Sequence, residues 1–384
     1  MASSLPPVTP SVIQQAATPT YQGFTPLAFP RWRKAMGGVR SGTARARLCC
    51  LGDSTTFGLG SVGTPASYSN AKAFGYPTQL AQALGAQKNL AAHWDSFWCD
   101  NGLDSVAGAT LPLADPRIAL GTGWSNTGQT SMGGLSLFNN TTTNPVSFTP
   151  INAFDTFDIW TVCNSGLGTV TADIGGAVLA TISTSTGTHG ATKTTVSTGA
   201  APATGTINVR LSGTLASVFL IGIEAYNSTL PKVSVWNQGW CGGTTANITG
   251  NASPWSTLPA LVAAAPNLVM CGIGINDSRT GVTLAQYIAN YQELITAITA
   301  VSDMVLFVEN PPEISVVTTA LWTQFQQAVY QLAAANNLPL IDLTQRWVSW
   351  AYSNALGYYY DALHPYAAGY GDITQAFLDA PLLF

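Results

Sequence analysis

Apolar residues along this chain follow two different rhythms. From Arg47 onward, unbroken apolar runs such as RLCCLG, NLVMCGIG, MVLFVEN and LPLIDL alternate with stretches whose apolar residues recur every three or four positions. Leu284, Ile288, Tyr291, Ile295 and Ile298 make one such stripe, and Trp322, Phe325, Val329 and Leu332 make another. Each stripe predicts a helix with one buried face. Unbroken apolar strands joined by amphipathic helices predict a parallel sheet covered on both faces, the signature of an α/β domain.

Between about residues 93 and 230 the rhythm changes. FDIWTVCN, GTVTADIGG, AVLATIST, TKTTVST, TINVRLSG and VFLIGIEAYN are short β-type runs cut by Gly, Asn and Thr clusters, with no helical period. They predict a β-sandwich or jelly-roll domain, 93–230, inserted into an α/β domain formed by 45–92 and 231–384. Glycan binding, shaping of a cleft and plain structural support are the roles open to such an insert. Residues 1–44, rich in Pro, Ser, Thr and Gln, read as an extended N-terminal arm ending in a basic patch, Arg31, Arg33, Lys34 and Arg40. The arm either reaches outward as an attachment segment or wraps its own domain.

Charge changes the picture of the surface. Of 384 residues only 8% are charged, against about 25% in ordinary proteins, and Gly, Ala, Thr, Ser and Asn take their places. Such a polar, nearly uncharged surface suits an extracellular or virion-borne protein and neutral partners such as glycans. A net charge of −4 argues against nucleic acid, whose phosphates demand a basic face. Cysteines at 49, 50, 99, 163, 241 and 271 form no CxxC pair, and with three histidines a zinc site has few possible ligands. No metal or other cofactor is expected, and Cys49 and Cys50 read as small buried thiols. No run reaches the ~18 apolar residues of a membrane span. The start, MASSLPPVTPSV, lacks the basic and apolar parts of an ordinary secretory signal. A soluble protein is expected, one that would reach the cell exterior by lysis or on a phage particle.

The chemistry concentrates at a few turns. In LGDSTTFG, Ser54 follows an apolar strand at a Gly-rich turn, where open α/β sheets present their ligand-binding groups. A serine hydroxyl becomes a nucleophile only when a base takes its proton. His93, in LAAHWDSF, and His189, in a turn of the insert, carry no such arrangement. His364 follows Asp361 by three positions in DALHP, with Pro365 fitting the start of a final helix. A carboxylate beside the imidazole would hold its tautomer and stabilise the imidazolium.

Together these motifs resemble the SGNH hydrolases, also called GDSL-type esterases. LGDSTTFG matches that family's first block with Ser54, NQGWCGGTT its second with Gly242, GIND its third with Asn276, and DALHP its fifth with Asp361 and His364. The resemblance implies a flavodoxin-like three-layer α/β/α fold and ester hydrolysis through an acyl intermediate on Ser54, with His364 as base and Asp361 as its partner. It further implies an oxyanion hole made by the backbone N–H groups of Ser54 and Gly242 and the side-chain amide of Asn276, with Gly239 and Gly243 as competitors for the glycine role. Asp53 is implied as a support for the turn. The long separation of the first two blocks is accounted for by the insert.

The reading is a serine esterase that removes small acyl groups such as acetyl from carbohydrate. A lipase or thioesterase acting on longer acyl chains, and a non-catalytic glycan-binding or virion structural protein, are the alternatives. Trp124, Trp240, Trp255 and Tyr358 to Tyr360 fall in loop-like stretches where aromatic rings could stack on sugars, Trp124, Trp240 and Tyr360 being the first choices.

Overall fold

Runs of apolar residues with both faces covered need helices above and below, and the chain supplies them. The computed structural model of the protein describes residues 20–63, 68–99, 110–126, 129–213, 216–381 and 383–384; the first part of the expected arm, 1–19, lies outside them. The main sheet has seven strands in the spatial order Tyr21–Gln22, Leu340–Asp342, Asp303–Val308, Leu268–Gly272, Ala46–Gly52, Val233–Gly239 and Ala92–His93. All neighbours pair parallel except Tyr21–Gln22, which runs antiparallel to Leu340–Asp342. Without the two edge pieces this is the flavodoxin-like order, whose switch point lies beside Ala46–Gly52.

Residue parity builds the three layers. Leu48 and Cys50 face a core shared with helices Pro30–Arg40, Tyr76–Lys88 and Ala367–Asp379. Cys49 and Leu51 face the opposite core with Thr257–Ala264, Leu284–Val301 and Thr319–Ala335. The adjacent thiols therefore point to opposite faces of the sheet, and all six cysteines are buried.

The N-terminal region departs from the extended arm expected of it. Pro30–Arg40 is an α-helix with Pro at its first turn, and Trp32, Met36 and Val39 are buried. Their spacing, four then three residues, is a helical stripe that the surrounding Pro and Arg residues obscure. Asp303 accepts the Trp32 N–H at 2.7 Å, so the helix is pinned to the end of the sheet.

Residues 96–226 hold two antiparallel five-stranded sheets. One contains Gly190–Ser197, Thr156–Cys163, Val218–Tyr226, Ser96–Trp98 and Leu137–Asn139; the other contains Ala177–Ser183, Thr169–Ile174, Ile207–Ser212, Val146–Phe148 and Ile118–Leu120. Phe157, Ile159 and Ile223 of the first meet Val170, Val209 and Phe148 of the second in one apolar cluster, the core of a sandwich. The outer face of the first sheet is also buried. Trp98 lies 4.8 Å, ring centre to ring centre, from Trp236 of the main sheet, and Trp160 and Ile221 join the same core. Beside them the fully buried Asp158 and Glu224 meet Arg45 and Arg47. Burial pushes the Glu224 carboxyl up, but Arg47, Arg45 and the Ser234 hydroxyl hold it down at about 2. The sandwich is thus fastened by a shared core and a desolvated ion cluster, and loss of one ionic partner would strand a buried charge.

Candidate active site

The chain turns sharply where Ala46–Gly52 ends. A side chain at Gly52 would collide with the Thr56 hydroxyl and the Gly272 carbonyl, so only glycine lets the turn fold back onto the sheet. Asp53 caps the short helix Ser54–Phe57, its Oδ1 accepting the Thr55 N–H at 2.8 Å. Ser54 is thereby held at the first helical position, largely buried with 8% of its surface exposed.

A second loop meets it from the far end of the chain. A bridge between Tyr359 and Pro365 and a 2.8 Å bond from Tyr360 N–H to the His364 carbonyl close the Asp361–His364 turn. Pro365 lies just before the final helix, Ala367–Asp379, rather than at its first position. His364 Nε2 is 2.9 Å from Ser54 Oγ, and His364 Nδ1 is 2.8 Å from Asp361 Oδ2. Asp361 Oδ1 accepts the backbone N–H groups of Leu363 and His364, each at 2.7 Å. Burial pushes the Asp361 carboxyl up, but the His364 hydrogen bond and charge and these two N–H groups more than offset it and hold it below its ordinary value. The Ala367 N–H to Ser61 carbonyl bond and the Tyr370 hydroxyl on the Leu59 carbonyl tie the two loops together.

The three expected N–H donors also gather here. Among the described residues, the backbone N–H groups of Ser54 and Gly242 have no protein acceptor. The competing glycines are occupied: Gly239 N–H donates to Asn237 Oδ1 at 3.1 Å and Gly243 N–H to the Trp240 carbonyl at 2.8 Å. Gly242 has φ +72°, a left-handed conformation that suits glycine. Asn276, in the short helix Ile275–Arg279, donates both amide hydrogens, to Asp53 Oδ2 and to the Gly243 carbonyl, each at 3.1 Å, and accepts from Arg279 at 3.2 Å. Asp53 therefore braces both the serine turn and Asn276.

Residues 223–371 match the GDSL-like lipase/acylhydrolase family. The fold is that of the SGNH hydrolases. A solved peptidoglycan O-acetylesterase has the same fold, with a TM-score of 0.69 over 94% of this chain and 97% of that one at 15% identity. Shorter similarities reach a lipase/acylhydrolase from Enterococcus faecalis, with 21% identity, a TM-score of 0.32 and coverage of 38% of this chain and 73% of that one. An acetylxylan esterase from Geobacillus stearothermophilus gives 22% identity, a TM-score of 0.30 and coverage of 38% and 70%. No curated protein sequence matches the chain.

The aromatic expectations for this hydrolase divide. Trp240 is half-buried on the turn beside Gly242, its N–H on the Gly52 carbonyl at 2.9 Å, and Tyr360 is half-buried next to His364 with its ring edge on Tyr366. Trp124 is corrected: its indole is 8% exposed inside the sandwich core, with Nε1–H on the Asn144 carbonyl at 2.7 Å, so no ring face is offered to a sugar. Tyr359 is likewise core, with its hydroxyl on the Pro311 carbonyl, Tyr358 packs on Trp347, and Trp255 leans on the main core.

Three further polar residues adjoin the site. Glu309 follows the strand Asp303–Val308, is 2% exposed and accepts the Ile275 N–H at 3.1 Å. Asp277 accepts the Thr245 N–H and hydroxyl, tying the turn after Gly242 to the Asn276 helix; burial pushes its carboxyl up to about 6. Arg279 is exposed beside Asn276. An acid ending an apolar strand, as in VLFVEN, was the available signal for Glu309. Among the described residues no group of three or more His, Cys, Asp or Glu side chains could hold a metal ion, and no helix is long and apolar enough to cross a membrane.

Proposed function

We propose that the hydrolase is a serine esterase that removes small acyl groups, acetyl foremost, from carbohydrate. The observation that carries this reading is the unbroken hydrogen-bonded run Ser54 Oγ, His364 Nε2, His364 Nδ1, Asp361 Oδ2, at 2.9 and 2.8 Å, beside two unoccupied backbone donors. Ser54 Oγ attacks the ester carbonyl while His364 Nε2 takes its proton. The negative oxygen of the tetrahedral intermediate is held by the N–H groups of Ser54 and Gly242 and by Asn276, whose bond to the Gly243 carbonyl is the one the oxyanion displaces. His364 then gives the proton to the departing sugar oxygen, leaving an acyl group on Ser54. Water, deprotonated by the same histidine, releases the acid. Asp361 holds the imidazole in the tautomer this requires.

Asn276→Ala is expected to lower kcat by about 10²- to 10³-fold with a smaller change in KM, the usual effect of removing one oxyanion donor. Steady-state kinetics on p-nitrophenyl acetate checks this; an unchanged kcat would remove Asn276 from the hole.

The carbohydrate acetyl reading is supported by the nearly uncharged surface and by the fold shared end to end with a peptidoglycan O-acetylesterase. Acetate should be released from O-acetylated polysaccharide, and p-nitrophenyl acetate should be preferred over the octanoate by about tenfold or more in kcat/KM. Faster octanoate cleavage would favour a longer-acyl lipase or thioesterase, and glycan binding without hydrolysis of any ester a non-catalytic protein. Residues 93–230 are proposed as the module that carries polymer past the site.

A further inference from the structure

Two buried carboxyl groups lie behind the site, and among the described residues neither is in an ion pair. Asp53 and Glu309 are 1% and 2% exposed. They meet the same turn, Asp53 holding the Asn276 amide and Glu309 the Ile275 N–H one residue earlier. The contacts of the pair are donors aimed at carboxylate oxygens: Thr55 N–H on Asp53 Oδ1, Asn276 Nδ2 on Asp53 Oδ2, and Ile275 N–H on Glu309 Oε2. Glu309 Oε1 is buried and finds no donor. A buried carboxylate oxygen with no donor, next to a second buried anion, is costly, and a proton on Glu309 removes both the unmet charge and the repulsion.

We infer that Glu309 is a protonated carboxylic acid whose O–H donates to the Asp53 carboxylate, and that it is a positioning residue for Asn276. The inference rests on the proposed hydrolytic role of Asn276. One proton shared by the pair leaves Asp53 a single anion with three donors on it. That anion fixes the Asn276 amide, and Glu309 Oε2 fixes the backbone entering the same helix. If Glu309 ionised, the two anions would part and carry Asn276 out of line with Ser54.

The surroundings agree. Burial, the Asp53 charge and, more weakly, Asp277 all push the Glu309 carboxyl well above its ordinary value, while the Ile275 N–H pulls it down without reversing this. Burial raises the Asp53 carboxyl too, against the Thr55 N–H and the charges of His364 and Arg279, and the other titratable groups facing the pair are Tyr287, Tyr291, Cys271 and Tyr370, which burial keeps neutral. The sign for pH follows directly. A carboxyl whose folded value is raised supports the native state fully only below its unfolded value, and that support is lost as pH rises through the folded value.

Infrared difference spectroscopy of the full-length Ser54→Ala protein at neutral pH, without substrate, should show the carbonyl stretch of a protonated carboxylic acid. The band should vanish in Ser54→Ala/Glu309→Gln. This readout does not depend on activity, so it can fail or succeed separately from the esterase reading. Its absence from the Ser54→Ala protein would overturn the inference. In the active enzyme, Glu309→Gln keeps an N–H donor for Asp53 but no longer titrates. Activity at neutral pH should stay within severalfold of the parent while the alkaline fall of kcat/KM moves to higher pH. Glu309→Leu should lose roughly 10- to 100-fold in kcat with KM little changed, the scale on which loss of outer support weakens a site. An alkaline limb identical in Glu309→Gln and parent would also overturn the inference, and if Glu309→Leu does not fold, the infrared band and the Glu309→Gln profile decide.

Discussion

Ser54→Ala is expected to lower kcat for p-nitrophenyl acetate by about 10⁴- to 10⁶-fold, the range in which loss of a serine nucleophile leaves only the oxyanion donors and substrate binding to act. The size follows from the position of the hydroxyl. Ser54 Oγ is the group on which His364 Nε2 bears, and at 8% exposure a water molecule cannot simply take its place without losing the fixed geometry. The fold should barely notice. The hydroxyl contributes one hydrogen bond, to His364, so the loss of stability should stay near 1 kcal/mol. Kinetics together with thermal unfolding checks both halves, and full activity in a folded mutant would remove the mechanism.

His364→Ala should be nearly as damaging, because in the proposed mechanism the imidazole moves the proton in both half-reactions, and the double mutant with Ser54→Ala should be no slower than either single one. Multiplying losses would mean that the two residues act separately. Asp361→Asn should cost less, roughly 10³- to 10⁴-fold, since an amide at this position favours the wrong tautomer but leaves the imidazole in place. The hydrogen bonds and charge that hold the Asp361 carboxyl low also set its pH behaviour. A depressed carboxyl supports His364 above its ordinary range, and that support is lost only as pH falls through the folded value, below the ordinary ~4. Asp361 should therefore not set any acid limb seen between pH 5 and 7, which a comparison of pH profiles for wild type and Asp361→Asn will check.

Much of this is legible in the sequence because the residues expected to carry the chemistry lie at strand ends. Apolar strands have to stop where polar chemistry begins, so LCCLGDS, CGIGIND and DALHP mark both the edge of the sheet and the site. The helix Pro30–Arg40 was obscured because its buried stripe, Trp32, Met36 and Val39, is embedded among Pro and Arg residues, and only tertiary contacts reveal which face is covered. Strands such as Ser96–Trp98, Ile118–Leu120 and Val146–Phe148 are too short to display an alternation. Trp124 misled for a related reason: its neighbours Gly121, Gly123 and Ser125 look like a loop, yet the ring folds inward onto the sandwich core. Glu309 depends on a partner far away in sequence, Asp53, and no local pattern shows that two acids will meet.

The central claim is that an acyl group passes through Ser54. The direct measurement is peptide mass mapping of enzyme mixed briefly with p-nitrophenyl acetate and quenched in acid before deacylation is complete, with Asp361→Asn as a slower companion. The account predicts one acetyl group on the peptide containing Ser54, absent from the Ser54→Ala protein. Acetate release with Ser54 never labelled, or the label on another residue, would contradict it.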